Sequence, residues 1–395
     1  MRIGIAKPDF GVVGGYERVI ERIALDLHRS GNDVTWIRVD ALDVPRPPYD
    51  VPLPRHIAPE LWDFQRYAAL IETFAEIDTR EFDLMISTQP PSHAVQHDRH
   101  LSVFSHHARI YYDLEDVFTA ASFADAELHR QIAAAVRRLD QPFFQNVSYF
   151  LAASEEVAGR LERFNGLSGN VGVYHAGVAF GRDNPAPEER RGDDWYAICV
   201  GRQEFPKRTE LFVQSLKYLP ESRGVVVGGG TRLPWLRALD ARLNHLSDLD
   251  SLSPEDLWLN TGTTGRIEYS LLESNVRFVE DAAPDELDAL YAGAACAVAP
   301  AYLEDYGITA VEAMTYGLPL IVCNDGGGLV WFVEDGVTGF VVEPTGRGIA
   351  DALTQLRDDP ELAAEMGRVA EERSRRFTWE NALAEVRRGV ENVSA

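Results

Sequence analysis

Cysteine and lysine are scarce in this chain of 395 residues. The three cysteines, Cys199, Cys296 and Cys323, lie far apart in apolar runs and form no metal-ligand spacing. Isolated thiols of this kind are typical of buried residues in a reducing compartment, so we expect a cytoplasmic protein. Only three lysines occur, Lys7, Lys207 and Lys217. Arginine supplies the other basic side chains, so each lysine calls for an individual explanation.

Long apolar runs are absent as well. No run approaches the roughly 20 residues that a membrane-spanning helix needs, and the first predicted strand begins at Arg2, which leaves no room for a signal peptide. We therefore expect neither a membrane span nor secretion. The net charge of −24 argues against nucleic acid and against simple electrostatic docking on anionic lipid. A chain of this length suggests two or three domains.

Short apolar runs alternate with helical patterns along the whole chain, which predicts parallel α/β sheets. At the start, residues 2–6 read as a strand, 9–15 as a glycine loop and 16–29 as a helix. The loop puts Gly15 where a ligand can approach the backbone, although a tight turn that only requires glycine explains it equally well. The G-x-G-x-x-G spacing of dinucleotide sites is missing.

Two adjacent histidines follow a later strand. The apolar run 101–105 predicts a strand that ends in His106 and His107. Side chains at the carboxyl end of a parallel strand face the ligand crevice of the sheet. A histidine with a purely structural role is the alternative.

The second half opens with a buried strand at 196–201, and Arg202 and Lys207 leave its carboxyl end. Because Arg offers a bidentate fork and Lys a compact charge, the two can converge on one diphosphate. A solvated basic loop is the alternative. A possible metal site exists at Asp248 and Asp250, within a stretch predicted as helical from 235 to 256, although a solvated turn explains that pair too.

The stretch 304–319 organises the second half. It predicts a turn, a helix at 308–315 and a Gly-Pro stop, between buried strands at 294–300 and 318–323. The free amides of the first helical turn, which follow Gly307, can bind an anion at Ile308 and Thr309. Glu304 in the loop and Glu312 in the helix can reach the same ligand, or they are a surface carboxylate and a helix-dipole carboxylate.

The stretch from Glu304 to Pro319 resembles the signature of retaining glycosyltransferase family 4. In this stretch seven residues separate Glu304 from Glu312, and Ala-Met and then Leu-Pro follow. The resemblance implies the GT-B fold, an α/β architecture of two Rossmann-like parallel-sheet domains facing across a cleft. It also implies that Glu304 lies by the donor sugar and that Glu312 binds the nucleotide ribose. Lys207 stands where the family holds its phosphate-binding lysine.

The family places a Gly-Gly pair of its first loop, here ending at Gly15, against donor phosphates or acceptor. Many members carry a functional histidine after the strand that precedes His106. Here the usual proline is replaced, the spacing to Arg109 is one shorter and a second histidine is present. His106 fits better than His107 when counted from the strand, and the choice between them stays open.

The resemblance predicts an acceptor domain at 1–180, a linker at 181–195, a nucleotide-sugar domain at 196–376 and a C-terminal helix at 377–395 that packs back on the first domain. We expect a retaining, metal-independent transfer of sugar from a nucleotide-diphosphate-sugar to an acceptor hydroxyl, with no cofactor. The acceptor class (glycan, lipid-linked glycan or small natural product) and the oligomeric state stay open. A GT-B sugar-nucleotide epimerase and a non-catalytic sugar-nucleotide binding protein are the alternatives.

Overall fold

The computed structural model describes residues 1–11, 14–43, 59–121, 125–178, 195–246, 248–253, 257–259 and 274–394. The chain forms two compact units. The first comprises Met1–Gly177 with Trp379–Ala395, and the second comprises Val178–Thr378. The predicted linker at 181–195 lies outside the described residues, apart from Trp195.

The first unit is built on a six-stranded parallel sheet. Its strands are β1 (Arg2–Asp9), β2 (Asp33–Asp40), β3 (Leu84–Ser87), β4 (His100–Phe104), β5 (Tyr149–Ala152) and β6 (Val171–Val173). The order across the sheet is β2-β1-β3-β4-β5-β6, and every neighbouring pair is parallel. Its first five helices are α1 (Gly15–Arg29), α2 (Pro59–Ala75), α3 (Glu115–Ala120), α4 (Ala126–Asn146) and α5 (Glu155–Asn165).

The second unit holds another six-stranded parallel sheet. Its strands are β7 (Tyr196–Val200), β8 (Arg223–Val227), β9 (Val276–Val279), β10 (Cys296–Ala299), β11 (Leu320–Cys323) and β12 (Gly339–Val342). Its helices are α6 (Thr209–Lys217), α7 (Leu233–Leu243), α8 (Pro284–Gly293), α9 (Ile308–Thr315), α10 (Gly346–Asp358) and α11 (Pro360–Ser374). The last helix of the chain, α12 (Trp379–Ser394), belongs to the first unit and packs against β4, β5 and α1.

Strand order decides where each sheet offers a ligand site. The second sheet runs β9-β8-β7-β10-β11-β12, the doubly wound Rossmann order, and its direction of winding reverses between β7 and β10. In the first sheet the reversal lies between β1 and β3. Ligands bind outside the carboxyl ends of the strands at such a reversal. The two stretches that sequence analysis singled out in the second half, after 200 and after 299, both begin there.

The central strands are continuous apolar runs because helices cover both of their faces. Leu320 to Cys323 is buried at every position, and so is Leu84 to Ser87. The three cysteines are free and buried, as predicted. Burial raises the pKa of the Cys199 and Cys323 thiols to about 12, which keeps both protonated and unreactive.

The predicted helix from 235 to 256 is wrong in its second half. Helix α7 ends at Leu243, and residues 249–251 form a short 3₁₀ turn. The Asp248 carboxylate accepts the Asp250 amide at 3.0 Å, a local hydrogen bond that competes with helix. In the described parts of the chain, no helix combines the length and apolar character that crossing a bilayer would require.

Candidate active site

The β7–β10 reversal of the second unit carries a cleft that brings most of the predicted residues together. It is lined by residues that leave β7, by residues that leave β10 and by the start of α9: Gly201, Arg202, Gln203, Lys207, Thr209, Pro300, Ala301, Glu304, Gly307, Thr309 and Leu329 among them. Arg202, Lys207, Glu304, Gly307 and Thr309 were all expected at one ligand. The structure places them around one cleft.

Lys207 and Glu304 form an ion pair in this cleft. The Lys207 ammonium donates to both Glu304 carboxylate oxygens at 2.8 Å. The two side chains are 31% and 14% exposed, so the pair is only partly screened by water. The residues lie 97 positions apart, and sequence analysis assigned them to separate parts of the ligand. Their contact places the ammonium and the carboxylate side by side in the cleft.

Arg202 lies exposed at the rim of the same cleft. Its guanidinium makes no hydrogen bond or ion pair to any residue that the structure describes. Glu204, two residues on, is instead held by Thr231, whose hydroxyl donates to it at 2.6 Å. Arg202 therefore keeps its full donor set available to an anion.

Helix α9 begins at the cleft with an uncapped N-terminus. Gly307 precedes it with φ +89°, in the left-handed region that glycine tolerates, and a Cβ there would lie 2.3 Å from Leu329 Cδ2. No side chain caps the helix, and its first turn carries no acidic residue. The amides of Ile308 and Thr309 have no backbone acceptor among the described residues. An uncapped helix start with free amides binds anions.

Glu312 stands in the second turn of α9 and is half-buried. The hydroxyl of Tyr291 donates to its carboxylate at a long 3.4 Å. Burial, followed by the nearby Glu312 charge, raises the pKa of Tyr291 well above its ordinary value, so this hydroxyl remains a donor at neutral pH. The contact helps to orient the Glu312 carboxylate.

A glycine turn after β11 holds the loop that carries Glu304. The Glu304 amide donates to the Gly326 carbonyl at 3.0 Å, and the Gly328 amide donates back to the Glu304 carbonyl at 2.8 Å. Gly327 has φ +60°, and a Cβ there would lie 2.7 Å from the Leu303 carbonyl carbon. Because backbone packs on backbone here, the turn requires glycine.

The histidines after β4 differ in their surroundings. His107 is fully buried, and its Nε2 donates to the Asn165 side-chain oxygen at 2.8 Å. Burial lowers its pKa to about 4, so it is neutral at physiological pH. His106 is half-buried, and its Nδ1 lies 2.6 Å from the His107 carbonyl. Since a carbonyl only accepts, Nδ1 is the donor in this contact. His106 is therefore the more exposed of the two histidines, and its ring is oriented by the backbone.

Gly15, predicted to end the glycine loop, is the first residue of α1 and is exposed. The Gly14 amide, just before the helix, donates to Glu17 Oε2 at 2.8 Å. Gln89 donates to the other Glu17 oxygen at 2.8 Å. The first turn of α1 therefore carries a carboxylate, whose charge disfavours an anionic ligand at this helix start.

Asp250 is engaged in a surface network. Arg347 donates to one of its carboxylate oxygens at 2.8 Å and Tyr218 to the other at 2.6 Å. The Arg347 hydrogen bond, followed by that from Tyr218, lowers the pKa of Asp250. Within the described residues, no group of three or more His, Cys, Asp or Glu side chains is placed to hold a metal ion.

Sequence reasoning missed two residues of the site, Arg208 and Asp325. Arg208 follows Lys207 and is buried, and it pairs with Asp325 across 117 positions. The position of Arg208 directly after the expected phosphate-binding lysine was the sequence signal that could have indicated it.

Comparisons with known proteins point to glycosyltransferases. Residues 13–182 match the family model described as Glycosyltransferase Family 4, and residues 263–373 match the model described as Glycosyl transferases group 1. Together these two matches cover most of the chain. The resemblance to family 4 glycosyltransferases is confirmed, and the fold is GT-B.

Curated relatives of this GT-B protein carry the name D-inositol 3-phosphate glycosyltransferase. One from Corynebacterium glutamicum is 36% identical over 116 residues, which are 29% of this chain and 28% of the relative. One from Streptomyces avermitilis is 28% identical over 242 residues, 58% of this chain and 48% of the relative. The chain thus spans less than half the length of these two relatives.

Solved structures with the same fold include a sucrose-phosphate synthase from Thermosynechococcus elongatus, with TM-score 0.67 and 18% identity over 98% of this chain and 97% of that one. The Anabaena protein HepE, solved in complex with UDP and glucose, has TM-score 0.64 and 16% identity over 99% of both chains. At these identities the likeness establishes the fold alone. The two Rossmann-like parallel sheets predicted from the sequence are confirmed.

Proposed function

We propose that this protein is a retaining glycosyltransferase that moves a sugar from a nucleotide-diphosphate-sugar to an acceptor hydroxyl. The observation that carries the proposal is the cleft at the β7–β10 reversal. There the Lys207–Glu304 ion pair, the unpaired Arg202 and the uncapped start of α9 lie together. This is a site for an anion that also bears hydroxyl groups.

The cationic groups suit the leaving diphosphate. As the glycosidic bond breaks, negative charge builds on the β-phosphate, and fixed donors aimed at it lower the barrier. Arg202, Lys207 and the amides of Ile308 and Thr309 supply such donors without a metal. We therefore propose a metal-independent reaction that needs no cofactor beyond the nucleotide-sugar itself.

The Lys207–Glu304 ion pair determines which part of the donor is bound first. When the diphosphate arrives, it competes with Glu304 for the Lys207 ammonium, because both are anions. Lys207 turns to the phosphate, and the Glu304 carboxylate is released to accept hydrogen bonds from sugar hydroxyls. Capture of the diphosphate thus prepares the sugar-binding group.

We propose Glu312 as the ribose ligand, because its half-buried carboxylate lies one turn after Thr309 on α9, and Thr309 lines the cleft. We propose that His106 contacts the reacting sugar or the acceptor hydroxyl through Nε2, since Nδ1 donates to the His107 carbonyl. The Gly15 loop is assigned to the acceptor rather than to the diphosphate, since the Glu17 carboxylate in the first turn of α1 disfavours a diphosphate there.

Retention of anomeric configuration is part of the proposal through the family resemblance. Its usual description is a front-face displacement in which the departing phosphate helps to deprotonate the acceptor hydroxyl. No protein nucleophile is required on that account, and we assign none. We propose that the reaction takes place in the cytoplasm, in keeping with three free, buried thiols.

The donor and acceptor are to be found by screening. HepE was solved with UDP-glucose, which makes uridine diphosphate sugars the first donors to try. The relatives named for D-inositol 3-phosphate make a phosphorylated polyol the first acceptor, followed by glycans, lipid-linked glycans and small natural products. A thermal-shift screen identifies the nucleotide, since a ligand at 100 times its Kd adds about 2.7 kcal/mol of apparent stability.

The decisive experiment combines the identified donor with the acceptor panel and follows nucleoside diphosphate release and the anomeric configuration of the product by NMR. We expect transfer with retention, unaffected by EDTA. Turnover of the donor without any acceptor, giving an epimerised sugar, would replace the proposal by an epimerase. Tight donor binding without turnover under any condition would replace it by a sugar-nucleotide binding protein.

A further inference from the structure

Arg208 combines two costly features in the second unit. Its backbone has φ +46° and ψ +36°, the left-handed region in which a Cβ is strained. Its side chain is only 4% exposed, so a charged group has been taken out of water. Glycine at this position would avoid both costs. A strained and buried arginine persists only where surrounding contacts hold it in place.

Those contacts come from three other segments, two of which supply hydrogen bonds. The guanidinium Nε donates to the Pro300 carbonyl at 2.9 Å, and Nη1 donates to Asp325 Oδ2 at 2.9 Å. Nη2 pairs with the second Asp325 oxygen, which completes a two-pronged ion pair. The rings of Trp258 and Tyr302 lie 5.2 and 5.4 Å from the guanidinium carbon. The side chain is therefore fixed in position and orientation.

Each segment that Arg208 joins carries part of the site. Arg208 directly follows Lys207. Pro300 leads from β10 toward Glu304, and Asp325 accepts the Leu303 amide on its backbone carbonyl at 2.9 Å. The guanidinium thus ties together the segments that carry Lys207 and Glu304. It adds to the backbone hydrogen bond that the Tyr302 amide donates to the Pro206 carbonyl at 2.8 Å.

We propose that Arg208 is a positioning residue, which acts through Asp325 and Pro300 to set Lys207 against Glu304. This inference rests on the proposed function, because the pair it positions is the one that we assign to the diphosphate and the sugar. Arg208 itself is not assigned a contact with the diphosphate or with the sugar. Replacing Arg208 should reduce the energetic coupling between Lys207 and Glu304 without unfolding the protein.

The test uses two variants and one matched control in the full chain. Arg208→Gly removes the guanidinium together with the backbone strain, and Asp325→Asn keeps the strain but breaks the ion pair. Asp240→Asn breaks the buried Lys217–Asp240 ion pair of the same unit, whose atoms lie 2.5 Å apart. The control thus loses a comparable buried charge pair that does not touch the cleft.

Two readouts separate positioning from stability. First, kcat should fall at least tenfold in Arg208→Gly and Asp325→Asn, with the unfolding temperature lowered no more than in Asp240→Asn, which should keep its kcat. Second, calorimetry with the nucleoside diphosphate alone measures coupling within the pair. Glu304→Gln should tighten its binding about two- to fivefold in the wild-type background, and this gain should vanish in the Arg208→Gly background.

The outcomes distinguish this inference from the proposed function. If the wild-type protein binds the nucleoside diphosphate and Glu304→Gln has the same effect with and without Arg208, only the positioning role is overturned. A loss of kcat in Asp240→Asn equal to that in Asp325→Asn would overturn it as well, since general destabilisation would then explain both. A wild-type protein that neither binds the diphosphate nor transfers sugar would overturn both proposals.

Discussion

Each unit starts a helix at the switch point of its sheet, and the two helix starts differ in charge. Gly14 and Gly307, which precede α1 and α9, have no side chain that could cap a first-turn amide. The first turn of α1 carries Glu17, whose carboxylate accepts the Gly14 amide at 2.8 Å. The first turn of α9 carries no acidic residue. A carboxylate in the first turn disfavours a second anion there, so the start of α9 is the better anion site of the two.

The charges around the two helix starts follow the same division. Next to α9 lie the Lys207 ammonium and the exposed Arg202, in a chain that has only three lysines. Next to α1 the partner of Glu17 is the neutral amide of Gln89. The proposed function thus assigns different ligands to two units of one fold class. The diphosphate is assigned to the second unit and the hydroxyl-bearing acceptor to the first.

The largest effect is expected when the cations of the second unit are removed. Arg202→Ala and Lys207→Ala should each lose ~1.5–3 kcal/mol of transition-state binding, the scale of a charged hydrogen bond, and the double variant should lose more than either. Steady-state kinetics with the identified donor measure this as a change in kcat/KM. Arg277→Ala, which removes an exposed arginine of the same unit, is the control and should change little. Unaltered kcat/KM in the double variant would remove the basis for placing the diphosphate here.

The histidines test what the first unit contributes. His106→Ala should lose at least tenfold in kcat/KM, or about 1.4 kcal/mol, with an unchanged unfolding temperature because the side chain is only half-buried. His107→Ala should instead lower the unfolding temperature, since it leaves a cavity against Phe104, Phe144 and Asn165. The reverse pattern, with activity lost at His107 and retained at His106, would mean that the functional histidine is the buried one.

The two carboxylates of the second unit should respond differently. Glu312→Ala should mainly raise the KM for the donor, because a ribose contact exists before and during reaction, whereas Glu304→Ala should lower kcat. Glu304→Gln should also tighten binding of the nucleoside diphosphate about two- to fivefold, as Lys207 loses its competing partner; this corresponds to ~0.5–1 kcal/mol. Equal effects on KM alone at both positions would contradict this division of roles.

Acid should destabilise the protein through the first unit. Burial lowers the pKa of His107 to about 4 and that of His100 to about 3, whereas unfolded histidine titrates near 6.5. Below pH 6.5 the unfolded state binds more protons, so stability falls as pH drops, by up to about 1.4 kcal/mol per pH unit for each histidine. Urea unfolding between pH 7 and pH 5 measures the slope. His107→Gln should reduce that slope whatever it does to stability itself, and an unchanged slope would count against burial of a neutral His107.

The smallest effect is expected from metal removal. If Arg202, Lys207 and the α9 amides stabilise the leaving diphosphate, EDTA should leave turnover unchanged. Asp250→Asn should be nearly silent too, since it only loosens an exposed contact with Arg347. Loss of turnover in EDTA that added manganese or magnesium restores would overturn the direct mechanism.

Much of the second unit could be predicted because its signals are local. The buried strands before and after α9 are short apolar runs, and Arg202, Lys207 and Gly307 follow strand ends directly in the sequence. The carboxyl ends of parallel strands meet at one edge, so convergence of these residues follows from the strand pattern alone. These residues line the cleft at the β7–β10 reversal.

Contacts between distant segments could not be read in this way. The pairing of Arg208 with Asp325 depends on a left-handed residue that no local pattern indicates, because arginine rarely takes that conformation. The choice between His106 and His107 depends on Asn165, a residue of α5 that fixes the buried ring. The hydrogen bond between the Gly14 amide and Glu17 was overlooked because glycine, not serine or threonine, precedes the helix.

Calorimetric titration of a nucleoside diphosphate into the wild-type protein, Lys207→Ala and Gly15→Ala tests the contrast between the two helix starts most directly. Gly15 is exposed in the first turn of α1 and has ordinary helical backbone, so alanine should fit there without strain. We predict that Lys207→Ala weakens binding at least tenfold and that Gly15→Ala leaves Kd within about twofold of wild type. A loss of affinity in Gly15→Ala equal to or greater than that in Lys207→Ala would contradict the assignment of the diphosphate to the second unit.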